Sequence, residues 1–125
     1  MNKISPYATA QLLAINAALY SDEKNKEVSR YRFSREALRN ISGWGRLSAP
    51  FVEELAADLC RLGWILIDFS DSEFAIIQAS KITVWPKLSS KRLRADDALW
   101  TINEDEINAA YLARFPANEL SETES

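Results

Sequence analysis

The stretch Leu59-Cys60-Arg61-Leu62-Gly63-Trp64-Ile65 marks a change from helix to strand in this 125-residue chain. Before it, apolar residues recur every three or four positions, which predicts an amphipathic helix over 48–62. Gly63 follows that helix, and glycine is favoured after a helix end because it adopts left-handed backbone angles without strain. After it, the pattern becomes continuous and rich in residues that favour strands.

The part after Gly63 predicts a β-hairpin. Residues 64–69 and 74–79 are rich in aromatic and β-branched side chains, and the polar segment 70–73 separates them. Two such runs with a short polar connection are typical of antiparallel strands. Residues 81–85 predict a third strand, which Pro86 would end.

Three polar residues mark helix starts, because each can accept a hydrogen bond from the first turn. Ser34 begins a helix that runs to about Ile41, and Ser48 begins the helix that precedes the hairpin. Asn103 begins a last helix to about residue 115, and Glu106 completes a capping box. The segment 42–45 between the second and third helices contains two glycines and predicts a turn.

An earlier helix begins at Ser5, with Pro6 in its first position, and runs to about Tyr20. A stripe of apolar residues at helical spacing predicts its buried face. The stripe consists of Ala8, Leu12, Ile15 and Leu19. Polar residues 21–30 then predict a loop, and 87–98 predict a second loop or short linker. The predicted organisation is a domain over 1–100, a helix over 101–116 that is a candidate dimer contact, and a disordered acidic tail over 117–125.

The order of these elements resembles the winged helix-turn-helix domain, most closely over residues 33–79. Tyr31–Phe33 would be its short first strand, and Leu59–Ile65 resembles the segment that leads into the wing of many such proteins. The resemblance implies an α+β fold with a three-helix core. It also implies a small antiparallel hairpin or three-stranded sheet, followed here by an extra C-terminal helix.

The resemblance implies a DNA-binding transcriptional regulator of prokaryotic, phage or mobile-element type. In such proteins the third helix enters the major groove of duplex DNA and the wing contacts phosphates. It also implies a homodimer, formed through the first helix or the last one. Phosphate contacts would come from Arg35, Arg39 and Arg46 and from a basic arm of Lys91, Arg92 and Arg94; Ser48 and Ala49 would lie nearest the bases.

The third helix and the hairpin depart from that pattern, because their predicted exposed positions are acidic. A surface that binds DNA is normally basic, since phosphate contacts supply much of the affinity. The alternative is therefore a protein-interaction module or inhibitor that binds a basic partner protein. The acidic residues that would form this face are Glu53, Glu54, Asp58, Asp71 and Glu73.

Composition argues against an enzyme. The chain has no histidine, three glycines and one cysteine, Cys60, which we expect to be buried and inert. These counts leave little for zinc binding, for a general base near neutral pH or for a glycine-rich phosphate loop. We therefore expect no catalytic residue, cofactor, metal ion or small-molecule substrate. Without a long apolar run or a secretory signal, we expect a cytoplasmic protein that does not enter membranes. Trp44 and Trp85 are either packing residues or exposed anchors for a partner.

Overall fold

A computed structural model describes residues 2–95 and 103–116. These residues form six helices and three strands, which confirms the α+β prediction. The contacts divide the chain into two compact units, residues 1–85 and 86–125. The first unit contains α1 (Pro6–Lys24), β1 (Arg30–Ser34), α2 (Arg35–Ser42), α3 (Ala49–Arg61), β2 (Trp64–Asp68), β3 (Glu73–Gln78) and α4 (Ala79–Ile82); the second contains α5 (Lys91–Ala95) and α6 (Glu104–Arg114).

The three strands form one antiparallel sheet in the order β1-β3-β2. Phe33 of β1 lies opposite Phe74 of β3, and Leu66 of β2 lies opposite Ile76. Because side chains alternate along a strand, this register places these apolar residues on one face of the sheet. The predicted hairpin is confirmed, and the first strand joins it to complete a three-stranded sheet.

The predicted helix starts are confirmed by the caps. The side-chain oxygens of Ser5, Ser34 and Ser48 each accept a hydrogen bond from a backbone N–H in the first turn of the helix that follows. Asn103 and Glu106 form the expected capping box. Gly63, just beyond the end of α3, has φ of 89°, the left-handed region in which glycine is favoured. These ends depend on local chemistry, which explains why the sequence predicts them.

The core of the first unit lies between the sheet and three helices, α1, α2 and α3. Each helix contributes fully buried side chains, and the inner face of the sheet contributes stacked aromatic rings. Phe33 and Phe74 have ring centroids 5.8 Å apart. The buried core residues are Ala10, Leu13, Ala17, Phe33, Leu38, Phe51, Leu55, Leu59, Trp64, Phe74 and Ile76.

The predicted buried face of α1 is wrong. Leu12, Ile15 and Leu19 have exposed fractions of 39%, 50% and 56%. The residues that α1 buries are instead Thr9, Ala10, Leu13 and Ala17. Several of these are small, so α1 approaches its neighbours closely with this face. The helix also continues to Lys24, through part of the predicted loop 21–30, and its cap residue Asn25 has φ of 53°.

The predicted third strand over 81–85 is also wrong. Residues 79–82 form the short helix α4, and Trp85 N–H donates a hydrogen bond to the Ile82 carbonyl at 2.9 Å. The hydroxyl of Thr83 donates to the Ser80 carbonyl at 2.8 Å, which continues the turn. Since β3 already has β1 on one side and β2 on the other, its next segment has no edge of β3 to pair with.

The second unit contains α5 and α6. The predicted loop 87–98 is interrupted by α5, whereas α6 confirms the predicted last helix. On α6 the rings of Tyr111 and Phe115 pack with centroids 4.8 Å apart. The predicted boundary at residue 100 and the predicted tail 117–125 lie outside the described residues.

Candidate nucleic-acid interface

The turn between α2 and α3 is held by the segment that precedes α1. Ile4 N–H donates a hydrogen bond to the Ser42 carbonyl at 2.9 Å. In return, the indole Nε1–H of Trp44 donates to the Ile4 carbonyl at 2.8 Å. The chain's first few residues and the α2–α3 turn, far apart in sequence, therefore form one surface.

Gly43 makes this close approach feasible. Its φ of 78° lies in the left-handed region, and its N–H donates to the Arg39 carbonyl at 2.8 Å. A Cβ atom at this position would fall on the carbonyl of Asn2 and 3.1 Å from Lys3 Cα. Glycine is therefore required here for both backbone conformation and space.

Trp44 is both a packing residue and an exposed one. Its ring centroid is 5.9 Å from that of Phe51, and 36% of the residue is exposed. The Lys3 ammonium nitrogen lies 4.9 Å from the ring centroid, a distance at which a cation is attracted to the indole face. A positive charge and an aromatic face thus lie side by side at the turn.

Two predicted DNA-binding arginines flank this turn. Arg46 is exposed just after Trp44, whereas Arg39 is half-buried in the last turn of α2. Ser48 and Ala49 follow, both exposed, at the start of α3. We call Lys3, Arg39, Trp44, Arg46, Ser48 and Ala49 the basic turn. Sequence reasoning missed Lys3, since only the hydrogen bonds of Ile4 bring it here.

Arg35 has a different environment from the basic turn. Its Nη1 lies 3.5 Å from Asp68 Oδ1, and its guanidinium carbon lies 4.5 Å from the Phe74 ring centroid. This arginine therefore already has an acidic partner and an aromatic partner within the first unit. A phosphate would compete with both.

The predicted basic arm is helical rather than extended. Lys91 and Arg92 are exposed on α5, and Lys91 N–H donates to Ser89 Oγ at 3.3 Å. Arg94 belongs to the same helix. All three lie in the second unit, whereas the basic turn belongs to the first.

The acidic residues divide into exposed and paired groups. Glu53 and Glu54 are exposed on α3, and Asp71 is exposed in the β2–β3 turn. Asp58, predicted to be exposed, is only 9% exposed and accepts a hydrogen bond from Arg61. The half-buried Glu73 lies 3.6 Å from the Arg32 guanidinium. Pairing thus removes two of the five predicted charges from a free acidic face.

Cys60 is exposed, contrary to the prediction of a buried thiol. Leu55 and Leu59 of α3 point into the core, and this rotation of the helix turns Cys60 toward solvent. Within the described residues, no cluster of three or more potential ligands among His, Cys, Asp and Glu could hold a metal ion. No helix of the described part has the length and apolar character needed to cross a membrane.

Comparisons with known proteins give no match for this chain among protein-family models, curated proteins or solved structures. The argument for function therefore rests on the geometry of the basic turn and of its acidic neighbours.

Proposed function

We propose that the first unit is a winged helix-turn-helix domain. The order α1-β1-α2-α3-β2-β3, with a three-stranded antiparallel sheet in the order β1-β3-β2, supports this assignment. In this interpretation α3 is the recognition helix and the β2–β3 hairpin is the wing.

We further propose that this unit is a non-enzymatic DNA-binding protein that contacts duplex DNA through the basic turn, as a regulator of prokaryotic, phage or mobile-element type. The observation that carries the proposal is the joining of Lys3, Trp44 and Arg46 at the start of α3 by the hydrogen bonds of Ile4. Cations there can contact phosphates, and the exposed N-terminal end of a helix favours an anion.

The acidic residues restrict how α3 can approach DNA. Glu53 and Glu54 are exposed one turn beyond Ala49, so a helix lying along the groove would bring both carboxylates toward phosphates. An approach with the first turn of α3 foremost keeps the basic turn close and the carboxylates farther away. In this orientation Ser48 and Ala49 lie nearest the bases.

The test is a fluorescence-anisotropy titration of labelled random duplex DNA with the full chain at two salt concentrations. If Lys3, Arg39 and Arg46 each neutralise one phosphate, affinity should fall about 40-fold between about 50 mM and about 200 mM salt. Absence of binding at the lower salt concentration would contradict the proposal.

The variant Arg46→Ala tests the location of the contact. Loss of one phosphate contact should reduce the decrease in affinity over the same salt range to about 12-fold. Arg30→Ala is the matched control, since it removes the same charge from an exposed position on β1. Equal weakening by both variants would indicate a general charge effect and would overturn the assignment of the basic turn.

A second candidate is a protein-interaction module that binds a basic partner protein. Exposure of Glu53 and Glu54 on α3 and of Asp71 at the hairpin favours it. The double variant Glu53→Gln/Glu54→Gln separates the two candidates. In a DNA-binding protein it should strengthen DNA binding, because two repulsive charges disappear. In a protein-interaction module, neither the parent nor the variant should bind DNA.

A further inference from the structure

We propose that α1 pairs with α1 of a second copy of this chain. The two helices run antiparallel about a two-fold axis beside Ile15. This inference rests on the exposed face of α1 and does not depend on DNA binding.

The exposed face of α1 has an unusual composition. No Asp, Glu, Lys or Arg occurs between Lys3 and Asp22, although the helix spans almost all of that interval. Leu12, Ile15 and Leu19 are exposed on it. A helix face in contact with water normally carries charged residues, and a contiguous exposed apolar patch marks an interaction surface.

The spacing of the exposed residues suits a second helix. Ala8, Leu12, Ile15 and Leu19 alternate at intervals of four, three and four residues, the pattern of a two-helix seam. In an antiparallel pair centred beside Ile15, Leu12 of one copy lies opposite Leu19 of the other. The positions beside the seam are Gln11, Asn16 and Ala18, so no like charges oppose close approach.

Charge complementarity favours a second copy as the occupant. Asp22 and Glu23 lie in the last turn of α1, where acidic side chains are repelled by the negative end of the helix dipole. An antiparallel second copy places the positive N-terminal end of its α1 at this position, so each chain supplies the complement that the other lacks. The two helix dipoles also oppose each other favourably.

A groove beside Leu19 provides further space for a second helix. Its volume is about 420 Å³, and Asn16, Leu19, Tyr20, Glu23, Tyr31 and Arg32 line it. Glu23 therefore lies on the same side of α1 as Leu19. In the antiparallel arrangement, Leu12 of the second copy reaches this groove.

The first experiment is multi-angle light scattering of the full chain over a range of concentrations. We expect a mass of twice the 14.2 kDa of one chain, falling to one chain in the variant Ile15→Glu, which places two carboxylates beside the axis. Ala57→Glu is the matched control, because it adds the same charge at an exposed position on α3 and should remain a dimer. Circular dichroism verifies that each variant is folded.

Cysteine cross-linking provides a second measurement. The free thiol of Cys60 is first removed by Cys60→Ser, and Ile15→Cys is added. Mild oxidation should then link two chains through residue 15, whereas Ala57→Cys in the same background should not link them. A monomeric parent chain would overturn the proposal, as would a dimer that survives Ile15→Glu. A monomeric parent that loses stability with Ile15→Glu would indicate that another part of the same chain covers α1.

Discussion

The helices α1 and α3 pack in the same core but use their apolar residues in opposite ways. α3 buries Phe51, Leu55 and Leu59 and exposes Glu53 and Glu54. α1 buries small residues beside Leu13 and exposes much of its aliphatic surface. Both helices begin with a serine cap followed by proline in the first turn, so the difference lies in their faces and not in their starts.

The difference shows when helical periodicity identifies a buried face. On α3, exposing the apolar stripe would also bury the carboxylates of Glu53 and Glu54, which is costly. On α1, no charged residue lies on either face over most of its length, so both orientations avoid that cost. The choice there depends on how closely the helix must approach its neighbours.

The largest expected effect comes from adjacent leucines on α1. Leu13→Ala should lower the free energy of unfolding by about 3 kcal/mol, because Leu13 is fully buried and leaves a cavity. Leu12→Ala, the same chemical change at the neighbouring exposed position, should cost less than about 1 kcal/mol. Denaturant unfolding in the Ile15→Glu background measures both without the proposed helix pairing. Similar costs would show that α1 is rotated from the orientation described.

The next effect concerns the turn that leads into α3. Gly43→Ala should lower the free energy of unfolding by about 2–3 kcal/mol, because alanine is strained at positive φ and its Cβ displaces the segment before α1. Gly45→Ala is the control, since Gly45 lacks a positive φ and an added Cβ meets no atom within 4 Å. Thermal unfolding of both variants tests this contrast. Equal stability would mean that the initial segment does not pack against Gly43.

The smallest effect concerns the contact between β1 and α1. The Tyr31 hydroxyl donates a hydrogen bond to the Leu13 carbonyl at 2.8 Å, and burial raises the pKa of Tyr31 despite an opposing hydrogen bond with Asn16. Because folding favours the protonated phenol, its contribution is complete below the unfolded pKa of about 10 and is lost as pH rises through the folded pKa. Tyr31→Phe should cost about 1 kcal/mol near neutral pH and weaken the loss of stability at alkaline pH.

Urea unfolding at neutral and alkaline pH measures this dependence. Tyr7→Phe, at an exposed position on α1, is the control and should retain the parent's alkaline loss of stability. The assignment to Tyr31 would fail if Tyr31→Phe also retained the whole alkaline loss.

The candidate site was only partly predictable. Arg46, Ser48 and Ala49 are close in sequence, so a turn followed by a helix cap places them together. Lys3 was missed because no local pattern connects it with Trp44. The partners of Arg35 and Asp58 also depend on side-chain placement, and helical periodicity alone predicted the wrong exposure for Asp58.

The sequence by itself determined the helix caps, the glycine after α3, the hairpin and the α+β class, because these features depend on residues within a few positions of each other. Only the tertiary structure decided which face of α1 is buried, that residues 79–82 turn into a helix, and that Lys3 joins the basic turn. The physical reason is that these outcomes depend on packing and hydrogen bonds between distant segments, where several local choices have similar free energy.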